Sequence, residues 1–109
     1  MKNNEHSDLP GAFAALGDPT RLAIVERLMT RGALAAGELL DVADISAPAI
    51  SRHLKVLRQA GLIRQKVDRQ RRIYSVDPRA IGAINDWMIA HEAFWKTSLD
   101  RLAAALDEE

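Results

Sequence analysis

The segment from Ile45 to Ile63 constrains the fold more than any other stretch of this 109-residue chain. It reads Ile-Ser-Ala-Pro-Ala-Ile-Ser-Arg-His-Leu-Lys-Val-Leu-Arg-Gln-Ala-Gly-Leu-Ile. Ser46 offers a side-chain oxygen to cap a helix, and Pro48 is tolerable in a first turn whose N–H groups lack intrahelical partners. Ile50, Leu54 and Leu57 fall on one helical face, while Ser51, Arg52 and Lys55 fall on the other. Gly61 supplies the left-handed residue that ends a helix, and an apolar run follows at once. A helix over residues 46–60 built this way is held from behind by a core and offers short hydrogen-bonding side chains outward. That is the construction a DNA-reading helix needs.

The flanking sequence supplies the supports. Residues 1–7 are polar and expected to be loose. A first helix is predicted over Leu9–Leu16, with Leu9, Phe13 and Leu16 on one face and Gly17 as its stop. Asp18-Pro19 starts a second, with Asp as N-cap and Pro at the first helical position. Leu22, Val25, Leu28 and Met29 are its expected core face, and it ends near Arg31-Gly32. A short helix over about Ala36–Ala43 carries Leu39 and Leu40 and leads through Asp44-Ile45 into Ser46. Beyond Gly61, the runs Leu62–Val67 and Arg72–Val76 flank Asp68-Arg69-Gln70-Arg71 and read as a hairpin without the glycine that tight turns prefer. Asp77-Pro78 repeats the cap-plus-proline start, and a helical pattern then runs to about Leu106, with a kink or break expected near Ala90-His91. The class is mainly α with a small β-hairpin, in a single domain over 1–109. Two helices joined by a short turn and followed by a two-stranded hairpin form a winged helix-turn-helix, with the wing at 62–76.

Net charge is zero, which taken alone argues against nucleic acid, but the average hides an asymmetry. Residues 52–72 carry Arg52, Lys55, Arg58, Arg64, Lys66, Arg69, Arg71 and Arg72 against the single Asp68, a local charge of +7. Residues 1–51 hold four basic and seven acidic groups, and residues 73–109 hold three and seven. A positive stripe that follows the outward helix into a hairpin is the footprint of a polyanion-binding surface. Without cysteine, neither a disulfide framework nor a thiolate metal site is available. No apolar run approaches the roughly 18 residues of a membrane span. Met1–His6 lacks the apolar core of a signal peptide, so a cytoplasmic location is expected. There is no Gly-rich phosphate loop, no thiol nucleophile, and no serine in a recognisable His-and-carboxylate context, so an enzyme is not expected.

Four motifs carry a resemblance: Ala15-Leu16-Gly17-Asp18-Pro19-Thr20-Arg21-Leu22, Ser46 to Leu57, Ala60-Gly61-Leu62-Ile63, and Arg71-Arg72-Ile73-Tyr74-Ser75-Val76-Asp77-Pro78. In this order, across residues 15–78, they resemble the arsenic-repressor-type (ArsR/SmtB) winged-helix transcriptional regulators of bacteria. Asp86-Trp87, Phe94-Trp95 and Leu99-Asp100-Arg101-Leu102 resemble the C-terminal dimerisation helix of a metal-independent branch, here within 78–106. The resemblance implies a homodimer on a palindromic double-stranded DNA operator, repression of its own operon, and release by a signal. It also implies that Ala47, Pro48, Ser51 and Arg52 face bases. Two positions depart from the pattern. Ala47 stands where a longer polar residue, often Gln, is usual, and Gln70 stands where the wing turn usually has Gly.

Within that frame Arg52 can grip a guanine edge bidentately, and Ala47 or Pro48 can touch a thymine methyl. Lys55, Arg58 and Arg64 are candidates for phosphate contacts. Arg69, Gln70, Arg71 and Arg72 belong to the wing, with Arg71 expected at the tip, reaching a flanking minor groove. A ribbon alternates its faces, so not all the wing arginines can point at DNA. His53 invites a metal or pH role, but its place beside Leu54 and Leu57 favours a partly buried packing histidine. No metal site is expected: the early helix offers Glu38, Asp41 and Asp44, and the last helix Asp86, His91 and Glu92, too few nitrogen ligands for a tight transition-metal site. No cofactor is expected, and the signal is either a small-molecule effector, for which a dimer interface could hold an organic ligand between the tryptophans, or none at all. Trp87, Phe94, Trp95, Leu99 and Leu102, with Leu9, Phe13 and His91, make an apolar face too large for so thin a domain to cover, the expected dimer interface. The competing class is a winged-helix interaction module whose basic face binds an acidic protein. The lack of aromatic anchors at the start of the reading helix argues for DNA instead.

Overall fold

The structure, a computed structural model, describes residues 8–108. The expectation of a loose segment over 1–7 lies outside them. Helix α1 spans Leu9–Leu16 and α2 Pro19–Arg31. Strand β1, Leu34–Ala35, runs directly into a 3₁₀ helix, Ala36–Val42. Helix α3 spans Ala47–Gln59, strands β2 and β3 cover Ile63–Asp68 and Arg71–Val76, and helices α4 and α5 cover Pro78–Ala90 and Glu92–Asp107.

Each helix that carries the site starts where its cap chemistry dictates. Asp18 accepts from the Arg21 N–H at 3.0 Å, the Ser46 hydroxyl from the Ala49 N–H at 3.3 Å, and Asp77 from the Arg79 N–H at 3.0 Å. Helix α3 ends in a paired cap: the Gly61 N–H bonds the Arg58 carbonyl and the Leu62 N–H bonds the Leu57 carbonyl, each at 3.0 Å. Gly61 sits at φ 77°, the left-handed conformation this motif demands, and the fully buried Leu57 and Leu62 supply its apolar contact.

The core gathers Ala12 and Ala15 of α1, Ile24, Val25 and Leu28 of α2, Leu34, Leu39, the α3 stripe Ile50, Leu54 and Leu57, and Leu62, Ile63 and Tyr74. Two expected faces need correction. On α2, Leu22 and Met29 are 43% and 58% exposed, and Ile24 takes the inward place. On α1 the buried residues are Leu9, Ala12 and Ala15, while Phe13 faces out. Small alanines there let α1 lie close to its neighbours, something an apolar-size pattern does not reveal.

The sheet has three strands rather than two, in the order β1-β3-β2, all antiparallel. Leu34 pairs with Tyr74 and Ala35 with Ile73, so β1 covers one edge of the wing's base. The segment expected as a short α-helix is the 3₁₀ helix, tied to α2 by the Arg27–Asp41 ion pair. The hairpin is also tighter than expected. Asp68 pairs with Arg71, which leaves a two-residue turn of Arg69 and Gln70. Arg69 adopts φ 61°, and among the described residues no other non-glycine has a positive φ. The left-handed demand of the turn therefore falls on Arg69, not Gln70.

The C-terminal pattern breaks at His91, whose N–H is shared between the Trp87 and Met88 carbonyls. Helix α4 packs on α1, but α5 buries none of its residues and extends away from the body. The radius of gyration, 17.4 Å, reflects this extension; a compact chain of 100 residues has about 13 Å.

Candidate nucleic-acid interface

Helix α3 divides as its periodicity dictates. Ile50, Leu54 and Leu57 are fully buried, whereas Ala47, Pro48, Ser51, Arg52, Lys55 and Arg58 are exposed. The two sets are on opposite sides because the apolar residues recur on one stripe and these residues rotate away from it, with the half-buried His53 at the boundary. Small residues occupy the first turn and cations the later ones, so the helix presents a narrow tip and a charged flank.

Lys55, Arg58 and Gln59 of α3 join Ile63, Arg64 and Gln65 at the start of β2 to line one open cleft of about 410 Å³. Three of the expected phosphate-contact residues are thus brought together, and the cap at Gly61 is what folds β2 back beside the helix. Lys66, left out of the expected contact set, is exposed on the same face of β2 as Arg64, as period-two alternation would have shown.

The register sorts the wing residues. Arg64, Lys66, Asp68 and Arg71 share one face with Ser75 and Ile73, and Gln65, Val67, Arg72 and Tyr74 share the other. Arg71 and Arg72 therefore point apart. Arg71 does not form the tip: it is the first ladder residue of β3, and its guanidinium lies 3.7 Å from Glu38 of the 3₁₀ helix. Glu38 also accepts from the Ala35 N–H at 2.9 Å, so one carboxylate joins the turn end of β3 to the end of β1. Arg69 and Gln70 are the residues at the tip. Nothing in the local sequence signals Glu38, because the pairing spans 33 positions of chain.

The aromatic residues also cluster. Trp87 meets Phe13 edge-on at 5.6 Å between centroids, His91 at 4.6 Å and Trp95 at 6.0 Å, and Phe94 meets Trp95 at 5.1 Å. Phe13, Phe94, Trp95, Leu99 and Leu102 are exposed, joined by Met88, Ile89 and Leu106. Leu9, expected on this face, is buried instead and lines a cavity with Ala80 and Ala83 of α4. Among the described residues no group of three or more His, Asp or Glu comes together as a metal cluster, and no helix is long and apolar enough to cross a membrane.

Comparison with known proteins matches residues 16–66 to a helix-turn-helix domain. The chain is 42% identical to the HTH-type transcriptional regulator Rv2034 of Mycobacterium tuberculosis, over 90% of this chain and 88% of that protein. It is 35% identical to the transcriptional repressor SdpR of Bacillus subtilis, over 71% of this chain and 84% of the repressor. Among solved structures, the ArsR family transcriptional regulator RHA00566 superposes with a TM-score of 0.72 at 30% identity, covering 83% of this chain and 92% of that one.

Proposed function

The chain belongs to the ArsR family of helix-turn-helix transcriptional regulators, and from that premise we propose that it is a homodimeric repressor of its own operon, occupying a palindromic operator until a non-metal signal releases it. The observation that carries this reading is the exposed face of α3: Ser51 and Arg52 stand outward from a rigid apolar backing, beside a cleft lined by Lys55, Arg58 and Arg64.

The division of labour follows from chemistry. Arg52 has the fork geometry for a guanine edge, and Ser51 is short enough for either base or phosphate. Ala47 and Pro48 offer apolar contact to a thymine methyl in place of the hydrogen bond a longer residue would make. The cleft cations neutralise phosphates and release counterions, which supplies affinity without reading sequence. At the wing Arg69, in the turn, enters a flanking minor groove in this reading, while Arg71 lies beside Glu38 on the ladder.

The exposed stripe Trp95, Leu99, Leu102 and Leu106 of α5, with Phe13 and Phe94 beside it, is a surface for a second copy of the chain. A two-fold pair sets two reading helices about 34 Å apart, one turn of DNA.

The test is a fluorescence-anisotropy titration of the full chain against its own upstream DNA and a scrambled duplex, over a range of salt. Strong preference for the upstream duplex, with affinity falling steeply as salt rises, is expected. Equal, salt-fragile binding to both would leave the basic face as an electrostatic surface and reject the operator reading.

A further inference from the structure

One polar cluster where α1, α2 and α3 meet takes no part in the contacts assigned above. Arg21, in the first turn of α2, donates through Nε to the Ala15 carbonyl of α1 at 2.7 Å. Its second arm places a guanidinium nitrogen 3.3 Å from Nδ1 of His53, in the middle of α3. The Asp18 carboxylate stands 3.8 Å from the same ring nitrogen. Its backbone bond from Arg21, with the charge of Arg21 adding to it, holds its carboxyl below the usual carboxylate range. Helix α1 carries no charged residue, so Asp18 and Arg21 are the charged groups of α1 and α2 in these contacts.

A guanidinium has donors only, so in an Arg21–His53 hydrogen bond Nδ1 is the accepting atom. We infer that His53 is a positioning residue of the reading helix, which fixes through Arg21 where α3 sits against α1 and α2. This inference rests on the DNA-reading role assigned to α3. The apolar stripe of α3 supplies adhesion, but burial is non-directional and leaves small rotations and slides of the helix cheap. A charge-assisted hydrogen bond is directional, and Arg21 is itself anchored at Ala15, so it gives the helix a fixed azimuth. Long, flexible Lys55 and Arg58 can follow phosphates through a small displacement. Arg52, gripping a base edge with two bonds, cannot. Losing the His53 contact should therefore remove discrimination between sequences while leaving general DNA affinity in place.

The experiment uses the full chain and the duplex that the wild type enriches from a random library, with a scrambled duplex of equal composition as reference. His53→Leu is expected to lower the preference ratio about tenfold, with affinity for the scrambled duplex within about twofold of wild type. His53→Asn, whose amide oxygen can accept at the same place, should recover most of the ratio. Arg21→Ala removes the donors to both Ala15 and His53, so it should lower the ratio, and adding His53→Leu to it should lower it no further. Independently, ¹⁵N NMR of the imidazole should show Nδ1 of His53 as the unprotonated nitrogen. A protonated Nδ1, an unchanged ratio in His53→Leu, or an Asn variant no better than Leu would each overturn the inference. If the wild type enriches no sequence at all, the operator reading itself falls, an outcome separate from any result on His53.

Discussion

Two neighbouring cations on one helix are assigned different work, and kinetics need not be invoked to separate them. Arg52→Ala should cost about 1–3 kcal/mol at the base pair it grips and relax preference there. Lys55→Ala should weaken binding to every sequence and lower the salt slope by about one phosphate. Anisotropy titrations on a set of single-base operator variants check both; an unchanged ranking of variants for Arg52→Ala would remove its role. At this scale much was legible. The inward and outward sets of α3 followed from 3.6-residue periodicity, and the packing of His53 followed from its apolar neighbours. The hold of Glu38 on Arg71 and the Arg21–His53 contact were not legible, because they join residues more than 30 positions apart, and no local pattern records such meetings.

At the level of the element, the ends of helices and the turn of the wing carry the stored constraints. Gly61→Ala forces a Cβ onto a backbone at φ 77° and should cost about 1–2 kcal/mol in chemical denaturation. Arg69→Gly should instead stabilise the fold by several tenths to about 1 kcal/mol, because the turn already demands the left-handed region there. The same change should weaken DNA binding if the tip enters a groove, so stability and affinity would move in opposite directions. The Arg79 side chain, ahead of its backbone N–H, holds the buried Asp77 carboxyl below the usual carboxylate range. A carboxyl depressed only in the folded state stabilises fully above its ordinary value near about 3.9, and that contribution is lost as pH falls through this range toward the depressed folded value. Asp77→Asn keeps a capping oxygen but removes the charge, so denaturation curves should show a shallower loss of stability in acid. Helix starts were legible here through Asp-Pro and Ser-Ala-Pro. Strand β1 was not, because two residues cannot display an alternation, and its existence depends on the partner edge offered by Ile73 and Tyr74.

At the scale of the whole molecule, the apolar excess of the C-terminal third is the feature that asks for a second chain. Leu99 is 64% exposed, and no residue of α5 is buried, in a helix that nonetheless carries an unbroken apolar stripe. Leu99→Asp should leave the helix-turn-helix core folded and convert the sedimenting species to a monomer of about 12.0 kDa. Operator affinity should fall with it, since two half-sites then bind independently. A wild type that sediments as a monomer at micromolar concentration would reject the dimer. The surplus of apolar residues was visible in the sequence, but the break at His91, which frees α5 from the body, depends on how α4 ends. The central claim is that two symmetric reading helices recognise one DNA site, and hydroxyl-radical footprinting of the full chain on its own upstream DNA tests it most directly. A two-fold-symmetric footprint whose halves lie about 10 base pairs apart is expected. A single unpaired protection, or uniform protection along the duplex, would contradict it.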